Sequence, residues 1–356
     1  MSFPGHRVLG FYERVEGHVH LVFLLPAVCL WMALLFHPLI WDEGLYVELA
    51  GRVAENPFDP LPSGYRWVPH PPLFWYMLSP LRGVPRLPVL LTSAVCLLST
   101  YWASRKLYGD LAARYSVAFT LASWNYVAYS LIVFPDMTTA SFATVSVLAF
   151  LSWLNERRDR YLLLSGVSYV LSSLSKYTSG TLLTLTFTAW LLMRRKGLNR
   201  VSLVKGLVCI LLANLPLTAW LRHLSTLVGR DAYTYYSAVY NHQGFTLHYD
   251  MAYYTGIFAL TLGPSLALWL KGARRFDGNM KLTAVYALVT LLFFSSMRSL
   301  LHLCQMYDRY LLPVNAPVAV VSAKLASDET VRNRVLIVGA AFLYLILLLY
   351  VATFLL

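Results

Sequence analysis

The sequence predicts an all-α polytopic membrane protein, and three observations lead there. Of its 356 residues 58% are hydrophobic and only 13% charged, with a mean hydropathy of +0.57, whereas a soluble domain carries roughly a quarter charged residues. The apolar runs are about twenty residues long, the length of a spanning helix, and lack the alternation of the roughly ten-residue strands of a membrane barrel. Basic residues recur between alternate runs, as loops on one side of a membrane do.

Taken in order, the runs at 19–40, 86–107, 111–131 and 137–154 give the first four spans. Those at 161–174, 178–193, 203–221 and 251–270 give the next four, and 282–296, 310–323 and 335–355 complete about eleven. The first is too long for a cleaved signal segment and reads as a retained signal anchor. With the N-terminus in the cytoplasm, Arg7 and Arg14 lie inside, as do Arg105, Lys106 and Arg114, the cluster Arg157, Arg158 and Arg160, and the run from Arg194 to Lys205. Lys271, Arg274, Arg275, Lys281, Lys324, Arg332 and Arg334 follow the same rule, so about twenty of the 29 basic residues are cytoplasmic. The formal charge of +12 is thus a consequence of topology and of attraction to anionic lipid, not of nucleic-acid binding. Cys29, Cys96, Cys209 and Cys304 fall in or beside apolar runs without paired spacing, which suits packing. Without a linker, repeat or low-complexity tract, residues 1–356 read as a single membrane domain.

The first external loop, 41–85, holds the densest chemistry. Asp42 and Glu43 follow directly on an apolar run, where charge is costly unless it has a task. From Glu43 to Glu55 the pattern is that of an amphipathic interfacial helix, with Leu45, Leu49 and Val53 in one stripe, Ala50 and Ala54 widening it, and Glu48, Arg52 and Glu55 opposite. The acids then sit at a helix N-terminus, so Asp42 reads as a cap as readily as a catalyst. His70, framed by Pro69, Pro71 and Pro72, is either an imidazole held rigidly in place or simply part of a stiff helix entry. Asp136, Lys176 and Arg309 stand at other outer helix ends, each explicable singly as a cap or a snorkelling charge. Together they gather acids and bases on one membrane face while the span centres stay nearly uncharged, which suits surface chemistry better than a midplane transport site. The external loop 222–250 carries Tyr233, Tyr235, Tyr236, Tyr240 and Tyr249 with His242 and His248. It reads as an aromatic belt or as a lid whose rings, with Tyr236, Tyr240 and His242 foremost, stack on a sugar or prenyl chain. The spacing of His242, His248 and Asp250 matches no metal-ligand motif.

Several short motifs, in order, give a resemblance. Asp42-Glu43 with Tyr46 and an alanine-bearing helix, His70-Pro71-Pro72-Leu73, Arg86-Leu87-Pro88, Ser175-Lys176-Tyr177 and Arg309-Tyr310-Leu311-Leu312-Pro313 together resemble the membrane glycosyltransferases of the GT-C fold. They are nearest to protein O-mannosyltransferases and bacterial aminoarabinose transferases. Leu45 stands where the aminoarabinose enzymes carry a basic residue, and His70 where they carry lysine. The resemblance implies a sugar donor carried on a polyprenyl or dolichyl phosphate, transfer on the external face, and Asp42 as the catalytic acid residue with Glu43 beside it in the motif. Such a donor already has a good leaving group, so the reaction needs a base for the acceptor hydroxyl and positive charge for the departing phosphate. Asp42 is then the base of an inverting transfer, with His70, Lys176, Arg309 and Arg86 at the donor phosphate, Tyr46 at the sugar or acceptor, and Asp136 there too or orienting a cation. A mannose-like hexose is the favoured sugar; the acceptor is a protein, a lipid-linked glycan or a glycolipid. No cofactor or metal is expected, a divalent ion at Asp42, Glu43 and Asp136 being the alternative. A multi-pass lipid or solute transporter without transferase activity is the competing reading.

Overall fold

The computed structural model describes residues 16–58, 70–231, 234, 247–301 and 307–355. Among them there are helices and no strand. In chain order these are α1 (Val19–Leu34), α2 (Glu43–Glu55), α3 (Leu73–Leu78), α4 (Arg86–Tyr108), α5 (Asp110–Ala122), α6 (Trp124–Tyr129), α7 (Pro135–Glu156) and α8 (Asp159–Ser173). They continue with α9 (Tyr177–Arg194), α10 (Arg200–Val228), α11 (Leu247–Leu262), α12 (Pro264–Gly272), α13 (Gly278–Leu301), α14 (Leu312–Ser327) and α15 (Val331–Leu355). A 3₁₀ turn, Asp308–Leu311, leads into α14.

Each expected span overlies a helix, but five helices are long and apolar enough to cross a bilayer, or six if one bent pair counts as a span. Two breaks account for part of the difference. The run at 111–131 is interrupted at Ser123, whose ψ of 107° takes the backbone out of the helix between α5 and α6. The run at 251–270 turns by 97° between α11 and the segment that begins at Pro264. Gly263 at the corner has φ +43°, which glycine tolerates best, and Pro264 can only start a helix there. Elsewhere the ends follow ordinary rules. Pro135 opens α7 at its first turn, the Asn199 side chain accepts from Ser202 N at 2.8 Å to cap α10, and Gly229 at φ +74° closes that helix.

The centre of the bundle is α7 and α14. In their apolar windows 94% and 89% of residues are buried, against 22% for α10, so α10 lies at the lipid-facing edge. Around α7 pack α4, α8 and α14, and α5 packs on α14 and α4. Small hydroxyl residues let these backbones approach closely. Ser146 of α7 donates to Ser165 O at 2.8 Å and Ser165 of α8 donates back to Ser146 O at 2.9 Å. The helix α2 buries Tyr46, Leu49, Ala50 and Val53. That face is rotated from the expected stripe: Leu45 is half-buried and Ala54 is exposed.

Candidate active site

The site is assembled at one end of the bundle, from helix termini. The proline-framed segment is pinned where Leu73 N donates to Leu174 O at 3.0 Å, which sets His70 beside the junction of α8 and α9. Lys176 occupies that junction as the N-cap of α9, in extended conformation and buried to 6% exposure. A cation there opposes the helix dipole, so its charge needs another partner. Asp136 in the first turn of α7 supplies it: the Lys176 ammonium hydrogen-bonds to Asp136 Oδ1. Arg309, in the turn before α14, brings its Nε to 3.3 Å from Asp136 Oδ2. One buried carboxylate thus joins two cations.

Aromatic rings fix both cations. The Arg309 guanidinium lies 4.4 Å from the Phe134 ring centre and 4.0 Å from that of Tyr307, and the Lys176 ammonium lies 4.1 Å from that of Tyr310. A narrow cleft opens on these groups, lined by Asp136, Lys176, Arg309 and Tyr310 and by the apolar Leu182 and Phe294. Between α9, α11 and α13 lies an apolar pocket of about 520 Å³ lined by Leu185, Met251, Leu292 and Phe293 among others.

His70 and Tyr46 form the second wall. His70 Nε2 and the Tyr46 hydroxyl are 3.2 Å apart and the rings stack at 5.9 Å. His70 Nδ1 is buried without a hydrogen-bond partner. Burial first, and the neighbouring Lys176 ammonium second, hold the imidazole pKa down to about 3. His70 is therefore neutral near pH 7 and adds no positive charge. Burial likewise raises the Tyr46 phenol, with Asp136 and Asp42 adding to the effect. Asp42 is thus close enough to Tyr46 to act on it. Its own side chain is exposed and makes no capping hydrogen bond, so the cap reading of Asp42 does not describe this structure.

Glu43 and Arg86 are placed differently from the expectation. Glu43 is fully buried and accepts from Ile40 N and Val133 N, each at 2.7 Å, and from Arg86 Nε and Nη2 at 3.3 and 2.8 Å. Arg86 also donates to Leu34 O and His37 O, both at 2.7 Å, and to Pro38 O at 2.9 Å. A guanidinium has five N–H groups, and all five are used. Arg86 consequently has no donor left for a phosphate, and Glu43 is a clamp that ties the 35–42 segment to the entry of α7. Asp136, expected to orient a cation or the sugar, engages Lys176 and Arg309. No group of three or more His, Cys, Asp or Glu side chains placed to hold a metal ion occurs among the described residues. Tyr236, Tyr240 and His242 lie outside the described residues. Sequence reasoning missed Phe134 and Tyr307, whose signal was an aromatic residue two positions before each of Asp136 and Arg309.

Residues 70–220 match the protein family described as dolichyl-phosphate-mannose-protein mannosyltransferase. No curated protein matches the sequence significantly. Two solved structures share the fold: ArnT from Cupriavidus metallidurans in the apo state, with a TM-score of 0.67, and the same protein bound to undecaprenyl phosphate, with a TM-score of 0.68. Each is 18% identical and matches 87% of this chain, which spans 60% of the length of either structure. The fold is therefore that of ArnT, a helical multi-pass membrane architecture. The resemblance to GT-C membrane glycosyltransferases, read from short motifs, is supported by sequence over 70–220 and by fold over most of the chain.

Proposed function

We propose that this chain is a membrane glycosyltransferase moving a sugar from a polyprenyl or dolichyl phosphate carrier to an acceptor hydroxyl. The observation that carries the reading is the pairing of Lys176 and Arg309 through Asp136 on a narrow cleft, with the exposed carboxylate of Asp42 on the neighbouring helix end. Support comes from the mannosyltransferase family matched over 70–220 and from a shared fold with a protein that has been seen with undecaprenyl phosphate bound.

In this reading the phosphate of the donor lies against Arg309 and Lys176, with a forked contact from the guanidinium. The carrier's prenyl chain runs along the apolar pocket between α9, α11 and α13. Asp42 takes the proton of the acceptor hydroxyl as its oxygen attacks the anomeric carbon. The bond from that carbon to the phosphate oxygen breaks, its electron pair leaves on the phosphate, and the configuration inverts. The two cations stabilise the charge that develops there. His70, neutral, presents Nδ1 as a hydrogen-bonding group and not as a charge. The chemistry requires no metal, since the leaving group is already activated. Mannose-like hexoses are the favoured sugars on the strength of the family description, and protein, lipid-linked glycan and glycolipid hydroxyls are the candidate acceptors. The distribution of basic residues favours a cytoplasmic N-terminus with the site on the external face.

The test is transfer by purified protein from polyprenyl-phosphate-linked mannose or glucose to membrane lipid and protein acceptors, comparing wild type with Asp42→Asn, with and without chelator. Asp42-dependent consumption of donor, unaffected by chelator, is the expected result. Failure of wild type to consume any such donor would overturn the reading and favour a transporter.

A further inference from the structure

A site for a phosphate anion has no obvious use for a buried carboxylate at its centre. Yet Asp136, 4% exposed, is bound by both cations at once. Its place in the first turn of α7 fixes it where the helix dipole favours an anion. Within the immediate cluster of Lys176, Arg309 and Asp136 the carboxylate offsets one of the two positive charges. Two more carboxylates flank it. Asp308 accepts from the Tyr129 hydroxyl at 2.8 Å, and Asp42 stands at the rim; Tyr46 and His70, on the remaining side, are uncharged.

The reaction changes the charge of what this cluster must hold. The donor is a phosphodiester with one negative charge. When the anomeric C–O bond breaks and the acceptor proton goes to Asp42, the carrier leaves as a phosphomonoester. Its second pKa is near 6, so it bears about 1.5 to 2 negative charges at neutral pH. Attraction to the cluster grows in proportion to ligand charge, whereas the cost of removing that charge from water grows with its square. Each carboxylate set beside the two cations therefore lowers the attraction for the dianion more than that for the monoanion.

We propose that Asp136 is a built-in counter-anion, which biases the Lys176–Arg309 pair toward the singly charged phosphodiester donor and against the phosphomonoester product, and so promotes product release. The inference rests on the glycosyltransferase reading and assigns Asp136 a place in its turnover. Asp136 is on this account a tuning residue that touches the cations, not the reacting atoms. A carboxylate that only held Lys176 and Arg309 in position would, when neutralised, weaken both ligands alike. A counter-anion, when neutralised, changes their ratio.

The experiment measures binding of undecaprenyl phosphate and of its methyl phosphodiester to the full-length protein in nanodiscs, for wild type and Asp136→Asn. Wild type is expected to bind the diester at least as tightly as the monoester at pH 7.5. Asp136→Asn is expected to shift the preference toward the monoester by roughly tenfold or more, from one added net charge acting on the extra ligand charge at short range. Equal changes for the two ligands, or none, would overturn the proposal. Should the variant not fold, a pH series on wild type decides. The monoester affinity is expected to stay level or fall between pH 5 and 7.5 while the diester stays level; a monoester affinity that rises as the second proton leaves overturns the proposal. Wild type binding neither ligand would remove the glycosyltransferase reading along with it, whereas binding of both with an unchanged ratio removes this inference alone.

Discussion

Replacing Arg86 by lysine separates a clamp from a phosphate-binding residue, because the substitution retains the charge and removes only the fork. Arg86 satisfies five acceptors: the carbonyls of Leu34, His37 and Pro38 and both oxygens of Glu43. Lysine has three N–H groups, so at least two of these five hydrogen bonds are lost, in a part-buried setting. At about 1.5–3 kcal/mol for each hydrogen bond to a charged group, the cost is at most about 3–6 kcal/mol, a large fraction of the roughly 5–15 kcal/mol that holds a typical fold together. Thermal unfolding in detergent, followed by tryptophan fluorescence, should drop by several degrees. Turnover should fall as the segment carrying Asp42 loosens, with the donor KM little changed. A variant with unaltered melting and a raised donor KM would refute the reasoning and return Arg86 to the phosphate.

Three further outcomes are expected. Asp42→Asn should fold with stability within about 0.5 kcal/mol of wild type, since its side chain is exposed and makes no capping bond, while transfer falls by roughly a hundredfold or more; near-normal turnover would exclude it as the base. Arg309→Ala should raise the donor KM by roughly ten- to a hundredfold, the worth of a charged hydrogen bond of about 1.5–3 kcal/mol, and unchanged donor affinity would place the phosphate elsewhere. His70, with its pKa held at about 3 by burial and by Lys176, titrates near 6.5 once unfolded. The unfolded chain therefore binds a proton that the folded one refuses, and stability falls as the pH drops from 6.5 toward 3. His70→Gln should flatten the fall in melting temperature between pH 7.5 and 5; an identical slope in the two proteins would show that the imidazole is not the cause.

Much of this architecture is legible in the residues alone, because a twenty-residue apolar run in a membrane has few options besides a helix. What escapes is where a run stops being one helix. The break at Ser123 has no signal in composition. Gly263-Pro264 did carry a signal, a glycine followed by a proline, that hydropathy outweighed. At the site, Asp136, Lys176 and Arg309 stand out in sequence as charges beside apolar runs, and folding brings all three into contact. Their division of labour was not legible. Whether an arginine near a motif acid faces a ligand or its own backbone depends on which carbonyls surround it. Those of Arg86 lie 48 to 52 residues away in sequence. The charge of His70 is equally a property of its surroundings, set by burial and by a lysine from another helix junction.

The length of α10 also has a mechanical side. Its 29 residues reach about 43 Å at 1.5 Å per residue, while the hydrocarbon slab is about 30 Å thick. The surplus must project as a post or be absorbed by tilt. Near its far end, at the face that bears the site, His223 Nε2 meets Phe58 O at 2.9 Å, so the post also tethers the strand of chain that follows α2. Bilayer thickness thereby becomes a lever: a thicker slab draws the tether point toward the headgroups, a thinner one lifts it clear, and the reach of the first loop over the lipid surface changes with it.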